Sequence, residues 1–465
     1  MDSIESFERI FNPRAVAIVG ASGDTRKMGG WCMSSFIQGS YPGKVFPVNP
    51  KSREIRGIKT YASLSDVPEQ IDLAIVVVPS SAVASVLSEC ADKGAKGAVI
   101  ISAGFREMDD PRGQALQEEI VSLAQEKGIR LVGPNTFGMI HTHAHLNASF
   151  SPALNLLKKG NISMIGQSGG VCHLFMYTAI HEGIGLNKVV GVGNRSDMDF
   201  SDLVEYLDQD PGTRSIALYI EGIEGPGSLL ESARSVVRRK PIVALKGGKS
   251  EAIAKASIAH TGAMTGRHAL YQASFVQFGI VPVDDPIELL DVSRALATLP
   301  PPKGDRVAVL SGQAGPGILM TDLCIEKGLT LAEFEGKTLE ALKGPTRELV
   351  IRTNPVDLGF AFTRELFEDA VTAVLEDQNV DAIALFLADP ADTFKTFFSD
   401  GLAELAQRLE KPMVISYFTG DPDVSRKVMQ ERDGKGLLFY PQPSRAVNGL
   451  AGLVRYGKIL RERYP

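Results

Sequence analysis

The stretch KASIAHTGAMTG, residues 255–266, sets one histidine among small side chains: Ala256, Ser257, Ala259, Thr261 and Ala263 surround His260, and Gly262 and Gly266 follow. A histidine that only fills a core needs bulky neighbours, so His260 reads as presented for chemistry. Two further stretches suit an anion. IGQSGG at 165–170 and SGQAGPG at 311–317 each follow an apolar run and open a helical pattern. Ser168, Gly169 and Gly170 in one, and Gly315, Pro316 and Gly317 in the other, would each turn helix N-terminal N–H groups and a positive dipole end toward a negative group. Two such turns with shared letters, together with a presented histidine, call for a phosphoryl site. The common Gly-Gln-small-Gly core also predicts that the segments carrying the two turns are related copies.

A third turn, VGASGDTRKMGG, begins at Gly20 and has the form of a phosphate-receiving strand-to-helix connection. It is not a clean GxGxxG, because Ser22 holds the second glycine position, and a tight turn without ligand is the alternative. The next apolar run, VFPVNPK, ends in Asn49, Pro50 and Lys51 where a bare ribose diol would want an acid. Lys51 suits an extra phosphate, such as coenzyme A and NADP both carry. KGGKS at 246–250 lacks the glycine a Walker loop needs at position 243, which is Val243, so nucleotide binding there is rejected. Lys246, Lys249 and Lys255 would instead raise the positive potential near His260. His141, His143 and His145 alternate, but no carboxylate or cysteine lies close in sequence to complete a ligand set. An exposed loop is expected there, and no metal site.

What positions these residues is a repeated rhythm. Short, continuously apolar runs (AVAIVG, DLAIVVVP, GAVIISAGF) alternate with segments of helical spacing, the mark of parallel strands covered on both faces. The rhythm restarts after residue 135 and again after the proline-rich LPPPKGDR at 299–306. An α/β chain of three tandem domains follows: 1–135, 136–298 and 304–465. At 465 residues the chain is too long for one core. Its net charge of −6 is spread along the chain, which argues against a nucleic-acid or anionic-membrane partner. The acidic start MDSIESFERIFNP lacks the build of a secretory signal, no apolar run is long enough to span a membrane, and the four cysteines are dispersed. A cytoplasmic protein is expected.

In order along the chain, VAIVGAS, YPGKVFPVNPK, ISAGF, GPN, LNASF, IGQSGG, YIEGIEGP, HTGAMTG, AGPGILMTD and NPVDLG resemble the α subunit of NDP-forming acyl-CoA synthetases, the ADP-forming acetate–CoA ligases, relatives of succinyl-CoA synthetase. The likeness runs from about residue 8 to 455. It implies an N-terminal Rossmann-like CoA-binding domain followed by two flavodoxin-like domains of the succinyl-CoA-synthetase type. By the same resemblance His260 is the phosphohistidine, Glu221 the carboxylate that orients it, and the two glycine-bearing helix starts cradle phosphate. Gly20, Ala21, Ser22, Asn49, Lys51, Pro79 and Ser102 are implied as CoA contacts, with Asn135 near the thioester end. The chain has AHTG and PNT where the family often has SHTG and PNC, and the second change bears on the acyl pocket.

The resemblance further implies an ATP-grasp β subunit that holds ATP or ADP with magnesium, and an α2β2 heterotetramer. Without that subunit the chain is expected to be incapable of the nucleotide step. Two other readings remain open at this point: an NADP-linked oxidoreductase built on the first domain, and a non-catalytic CoA-binding paralogue.

Overall fold

The structure, a computed structural model, describes residues 3–249, 268–344, 352–359, 363–389, 400–433 and 436–464. Lys255 and His260 lie outside the described residues. The chain divides into two compact units, Met1–Pro286 and Ile287–Pro465.

In the first unit, β1 (Ala15–Val19), β2 (Lys44–Val48), β3 (Leu73–Val76), β4 (Gly97–Ile100) and β5 (Arg130–Val132) make a wholly parallel sheet in the order β2-β1-β3-β4-β5. Every residue of β1, β3 and β4 is buried, which is why these strands are continuously apolar. The connecting helices include α1 (Ser3–Phe11), α2 (Met28–Ile37), α3 (Val83–Asp92) and α4 (Pro111–Lys127). The ends of α4 are written in its letters. The Asp110 side chain accepts from Arg112 N, Pro111 occupies the first turn, and Gly128 stops the helix at φ 68°.

The same unit carries a second sheet: β6 (Gly138–His141), β7 (Leu146–Ser149), β8 (Lys158–Gly166), β9 (Gly185–Gly191), β10 (Ser215–Ile220), β11 (Ile242–Lys246) and β12 (Val281–Val283). Their order is β12-β11-β10-β8-β9-β6-β7, parallel except for the β6–β7 hairpin that extends it beyond β9. With it come α5 (Gly169–Glu182), α6 (Phe200–Gln209), α7 (Gly227–Val236) and α8 (His268–Gln277).

Helix α1 precedes the first sheet in the chain but docks on the second. Phe7 and Phe11 stack on Tyr206 of α6, with ring centroids 5.1 and 4.9 Å apart. Buried Lys188 pairs with Asp210 at 2.7 Å and lies over the rings of Phe11 and Tyr206. Arg130 of β5 caps the Phe7 ring and pairs with Asp197 at 3.0 Å. The histidine run corrects the expectation of an exposed loop, because His141 is a buried residue of β6 whose Nδ1 donates to Phe11 O at 3.0 Å. Its neighbour His143 is exposed, with Nε2 2.8 Å from Gly160 O. Cross-strand hydrogen bonding takes His141 inward, where α1 covers it.

In the second unit, β13 (Arg306–Ser311), β14 (Thr330–Leu331), β15 (Val356–Asp357), β16 (Ala382–Asp389), β17 (Met413–Thr419) and β18 (Leu437–Tyr440) are parallel in the order β14-β13-β16-β17-β18, with β15 also on β13. Helix α9 (Pro286–Thr298) packs into this unit from Ile287 onward, and α10 (Ala314–Glu326) follows β13. Residues 288–297 of α9 are all buried, charged ones included. Asp291 pairs with Arg445 at 2.6 Å, Glu288 with Lys327 at 2.6 Å, and Arg294 with Asp433.

One winding serves all three sheets. The first long strand of each sheet is flanked by the second on one side and by a later strand on the other, so the order reverses between β1 and β3, between β8 and β10, and between β13 and β16. Ligands of doubly wound sheets sit at such reversals, beyond the strands' carboxyl ends. Each of the three glycine-bearing turns leaves the first long strand of its sheet at this reversal: Gly20 after β1, Gln167–Gly170 after β8, and Gly312–Gly317 after β13. The echo expected between the second and third segments therefore extends, at the level of winding, to the first.

Candidate functional site

At the first reversal a cleft of about 550 Å³ opens beyond β1, β2 and β3, and Gly20, Ser22, Asn49 and Lys51 all line it, with Val77, Val78 and Glu89. Gly20 stands at φ +89°, and a Cβ there would come within 2.1 Å of Val77 O. No L side chain fits, so the turn exists only because the residue is glycine. Gly29 and Gly30 let the first turn of α2 press against this loop, since a Cβ on either would meet Gly20 O or Asp24 O at 2.0 Å. Asn49 fixes the loop from the neighbouring strand end: its Nδ2 donates to Ala21 O at 2.7 Å, and its Oδ1 accepts from Lys51 N at 2.8 Å. Ala21 is fully buried and can offer only its backbone. The exposed Lys51 side chain supplies the positive charge expected for a phosphate.

Pro79, Ser102 and Asn135 do not line that cleft; they continue the same carboxyl edge. Ser102 Oγ donates to Val78 O at 2.5 Å and lies 3.1 Å from Val78 N, binding the β3 end to the β4 end. Asn135 N donates to Ser102 O at 3.0 Å, and its residue holds φ 57°. Its Nδ2 reaches Asn194 Oδ1 at 3.3 Å, and Asn194 in turn donates to Glu107 and Gln117. Asn135 thus stands where the first sheet hands over to the second.

At the second reversal Ser168 caps α5 with extended backbone (φ −96°, ψ 121°) while its side chain makes no capping bond. The first-turn N–H groups are left for another acceptor. Gly169 packs with ordinary contact on Phe137, whereas a Cβ on exposed Gly170 would touch nothing closer than Ser168 Oγ at 3.8 Å. Packing does not demand a glycine at 170, so the small residue leaves room rather than relieves a clash.

Glu221 lies just past β10, on the far lip of the same reversal, partly buried. The residue that joins the lips is Gln167. Its Oε1 accepts from Glu221 N at 2.5 Å and Gly222 N at 3.1 Å, and its Nε2 donates to Gly222 O at 2.9 Å. Arg195 Nη1 also donates to Gly222 O, at 2.7 Å, while bidentate bonds to Asp199 hold its guanidinium. Tyr219 OH donates to Glu221 Oε1 at 3.3 Å. The Glu221 carboxylate and the open start of α5 are consequently held at one end of one sheet. Lys249 pairs with Asp284 at 2.7 Å, and Lys246 is buried rather than facing solvent.

In the second unit the helix after the third glycine turn begins at Ala314, capped by Gln313 with no side-chain capping bond. Gly315 is exposed and unhindered, and Pro316, in the first turn, needs no N–H. Gly317 is different: it is buried, with a Cβ position 3.0 Å from Ser311 Cβ, and serves packing.

Gln167 sits within the IGQSGG motif with no role that its type or spacing assigns, and nothing local in the sequence marks Arg195 or Asn194. Only the Gly-Gln-small-Gly echo hinted at Gln167. The other two act through partners dozens of positions away. Among the described residues no three His, Cys, Asp or Glu side chains gather as a metal site.

Residues 14–142 match the family described as a CoA binding domain, and residues 159–296 the one described as a succinyl-CoA ligase like flavodoxin domain. The α subunit of ADP-forming acetate–CoA ligase II from Pyrococcus furiosus is 37% identical over 452 residues, spanning 96% of this chain and 97% of that one. ADP-forming acetate–CoA ligase I of Archaeoglobus fulgidus is also 37% identical, but there the match covers 97% of this chain and 64% of the relative. Among solved structures, the dinucleotide forming acetyl-coenzyme A synthetase 1 of Ca. Korarchaeum cryptofilum, in complex with phosphate and ADP, superposes with a TM-score of 0.86 at 33% identity over 97% of each chain.

Proposed function

The chain belongs to the family of ADP-forming acetate–CoA ligase α subunits, and from that premise we propose that it interconverts acyl-CoA, ADP and phosphate with acid, CoA and ATP by way of an acyl phosphate and a phosphohistidine on His260. The observation that carries this reading is the Gln167 clamp, which fixes Glu221 opposite the open helix start Ser168–Gly170 at the carboxyl edge of one sheet. Neither an oxidoreductase nor a non-catalytic paralogue draws support from these relatives.

The three-domain division sets the roles. Residues 1–135 bind CoA in the cleft beneath Gly20, with Ser22, Asn49 and Lys51 on its wall and Ala21, Pro79 and Ser102 along its edge. Asn135 takes the thioester end. Inorganic phosphate attacks the thioester carbonyl, the C–S bond breaks, and the thiolate leaves and is protonated. The N–H groups at Ser168–Gly170, in residues 136–298, offset the accumulating negative charge, and Gly315–Gly317, in residues 304–465, open a second helix start of phosphate-binding type. His260 then attacks phosphorus in its neutral form, the acyl carboxylate leaves, and Glu221 accepts the hydrogen bond of the other ring N–H. The small residues around His260 suit a loop that must then change path to meet ADP.

The nucleotide and its magnesium are held by an ATP-grasp β subunit, in a heterotetramer of two α and two β chains. Among the described residues no helix is long and apolar enough to cross a membrane, and all four cysteines are buried and free. Free thiols fit a reducing compartment, the cytoplasm.

Labelled ATP added to the assembled enzyme tests this reading. An acid-labile phosphoprotein is expected on this chain and should disappear in His260→Asn; label that persists in the variant would place the phosphoryl group elsewhere.

A further inference from the structure

Within the stretch 131–140 every residue is buried except Asn135. Its backbone is held in the left-handed region, at φ 57°, which asparagine tolerates better than most residues. Among the described residues its side chain makes one hydrogen bond, from Nδ2 to Asn194 Oδ1 at 3.3 Å. One amide N–H and the Oδ1 of Asn135 are thereby left for a ligand.

Asn194, three residues past β9, is buried, and the two ends of its amide are not interchangeable. Its Nδ2 donates to Glu107 Oε2 at 2.5 Å and to Gln117 Oε1 at 3.0 Å. A carboxylate only accepts, so the nitrogen must face Glu107 and the oxygen must face Asn135. Glu107 is fixed in turn, its Oε1 accepting from Gly104 N at 2.6 Å and Phe105 N at 3.1 Å. The Asn194 backbone is tied at both ends: its N donates to Pro134 O at 3.0 Å, and its O accepts from Arg106 Nη2 at 3.3 Å. Gly193 lets the two loops close on one another, since a Cβ there would stand 2.2 Å from Pro134 O. The next residue serves the other lip, where Arg195 Nη1 donates to Gly222 O at 2.7 Å.

We propose that Asn194 is a positioning residue for cleavage of the thioester: its amide, oriented by Glu107 and Gln117, holds the Asn135 amide so that the remaining N–H meets the thioester carbonyl oxygen while phosphate attacks the carbon. The proposal rests on the reading that places Asn135 at the thioester end. A donor already held by packed partners needs no reorientation as charge builds on that oxygen. The Asn194 side chain serves the first sheet and the Arg195 side chain serves Gly222, so the thioester step and the histidine step are separable by mutation.

Two rates in the assembled enzyme test this: release of thiol from acetyl-CoA and inorganic phosphate in a single turnover without nucleotide, and labelling of this chain from ATP. Asn194→Asp removes the donor and sets a second carboxylate against Glu107. It is expected to slow thiol release about 30-fold at saturating acetyl-CoA, with the half-saturating concentration and the ATP labelling each within about twofold of the parent. Asn194→Ala gives the same comparison where the aspartate variant does not assemble. Adding Glu107→Gln to Asn194→Asp exchanges donor and acceptor: the new amide can donate to the new carboxylate, whose other oxygen still accepts from Asn135. The double variant should recover thiol release to within about threefold of the parent. Thiol release at the parental rate in Asn194→Asp, slowing of both steps together, or a double variant that fails to recover would each overturn the proposal. Failure of the underlying reading shows separately, as an Asn135→Ala variant that releases thiol at the parental rate.

Discussion

Gln167 does with one amide what most sites spread over several side chains. Three hydrogen bonds tie the turn after β8 to the backbone of Glu221 and Gly222, so the segment that carries the carboxylate is fixed before any substrate arrives. Such preorganisation is worth most when the group must meet a moving partner. Gln167→Leu keeps the volume and loses all three bonds. We expect kcat for phosphoryl transfer to fall about 100-fold with CoA affinity unchanged, as read by comparing labelling rates with calorimetric titration of CoA. Loss of CoA binding as well would mean that the clamp supports the whole carboxyl edge. This residue was visible in the sequence only as a letter of a motif, because its donors and acceptor lie 54 and 55 positions away.

Strand-turn-helix units carry each of the glycine-bearing turns, and their ends are written locally. Gly20 shows how strictly: φ +89° and a contact of 2.1 Å for any Cβ leave no relaxed alternative. Gly20→Ala should cost about 3 kcal/mol or more, measured by denaturant unfolding, and should abolish CoA binding even where the fold survives. Local punctuation of this kind is why the strands, the turns and the three-part rhythm were legible. Helix α9 was not. PIELLDVSRALAT shows charged letters that suggest a solvent face, yet residues 288–297 are buried because Asp291 and Arg294 find Arg445 and Asp433, 154 and 139 positions on. Periodicity cannot report a partner that distant. For the same reason His141 was misread as exposed, since its cover is α1, 130 positions earlier.

Across the whole two-sheet unit, that cover makes stability depend on pH. Burial, reinforced by the charge of Lys188, pushes His141 down to about 4, while the Phe11 carbonyl and Asp210 pull the other way. The folded form therefore holds the ring neutral, whereas the unfolded chain takes up its proton near the usual value of 6.5. Stability from this group is complete above about pH 6.5 and is lost as pH falls toward about 4, with a slope of up to about 1.4 kcal/mol per pH unit. Thermal melts across that window should show a shallower dependence for His141→Gln than for the parent chain. Parallel curves would mean that the ring takes up its proton as readily in the fold as in the unfolded chain.

Helix α1 has a consequence for how such a chain emerges from the ribosome. Its aromatic face is synthesised before Tyr206, Lys188 and Asp210, which receive it and are made some two hundred residues later. Until then Phe7 and Phe11 have no resting place, so the nascent segment is obliged to wait with its greasy side uncovered.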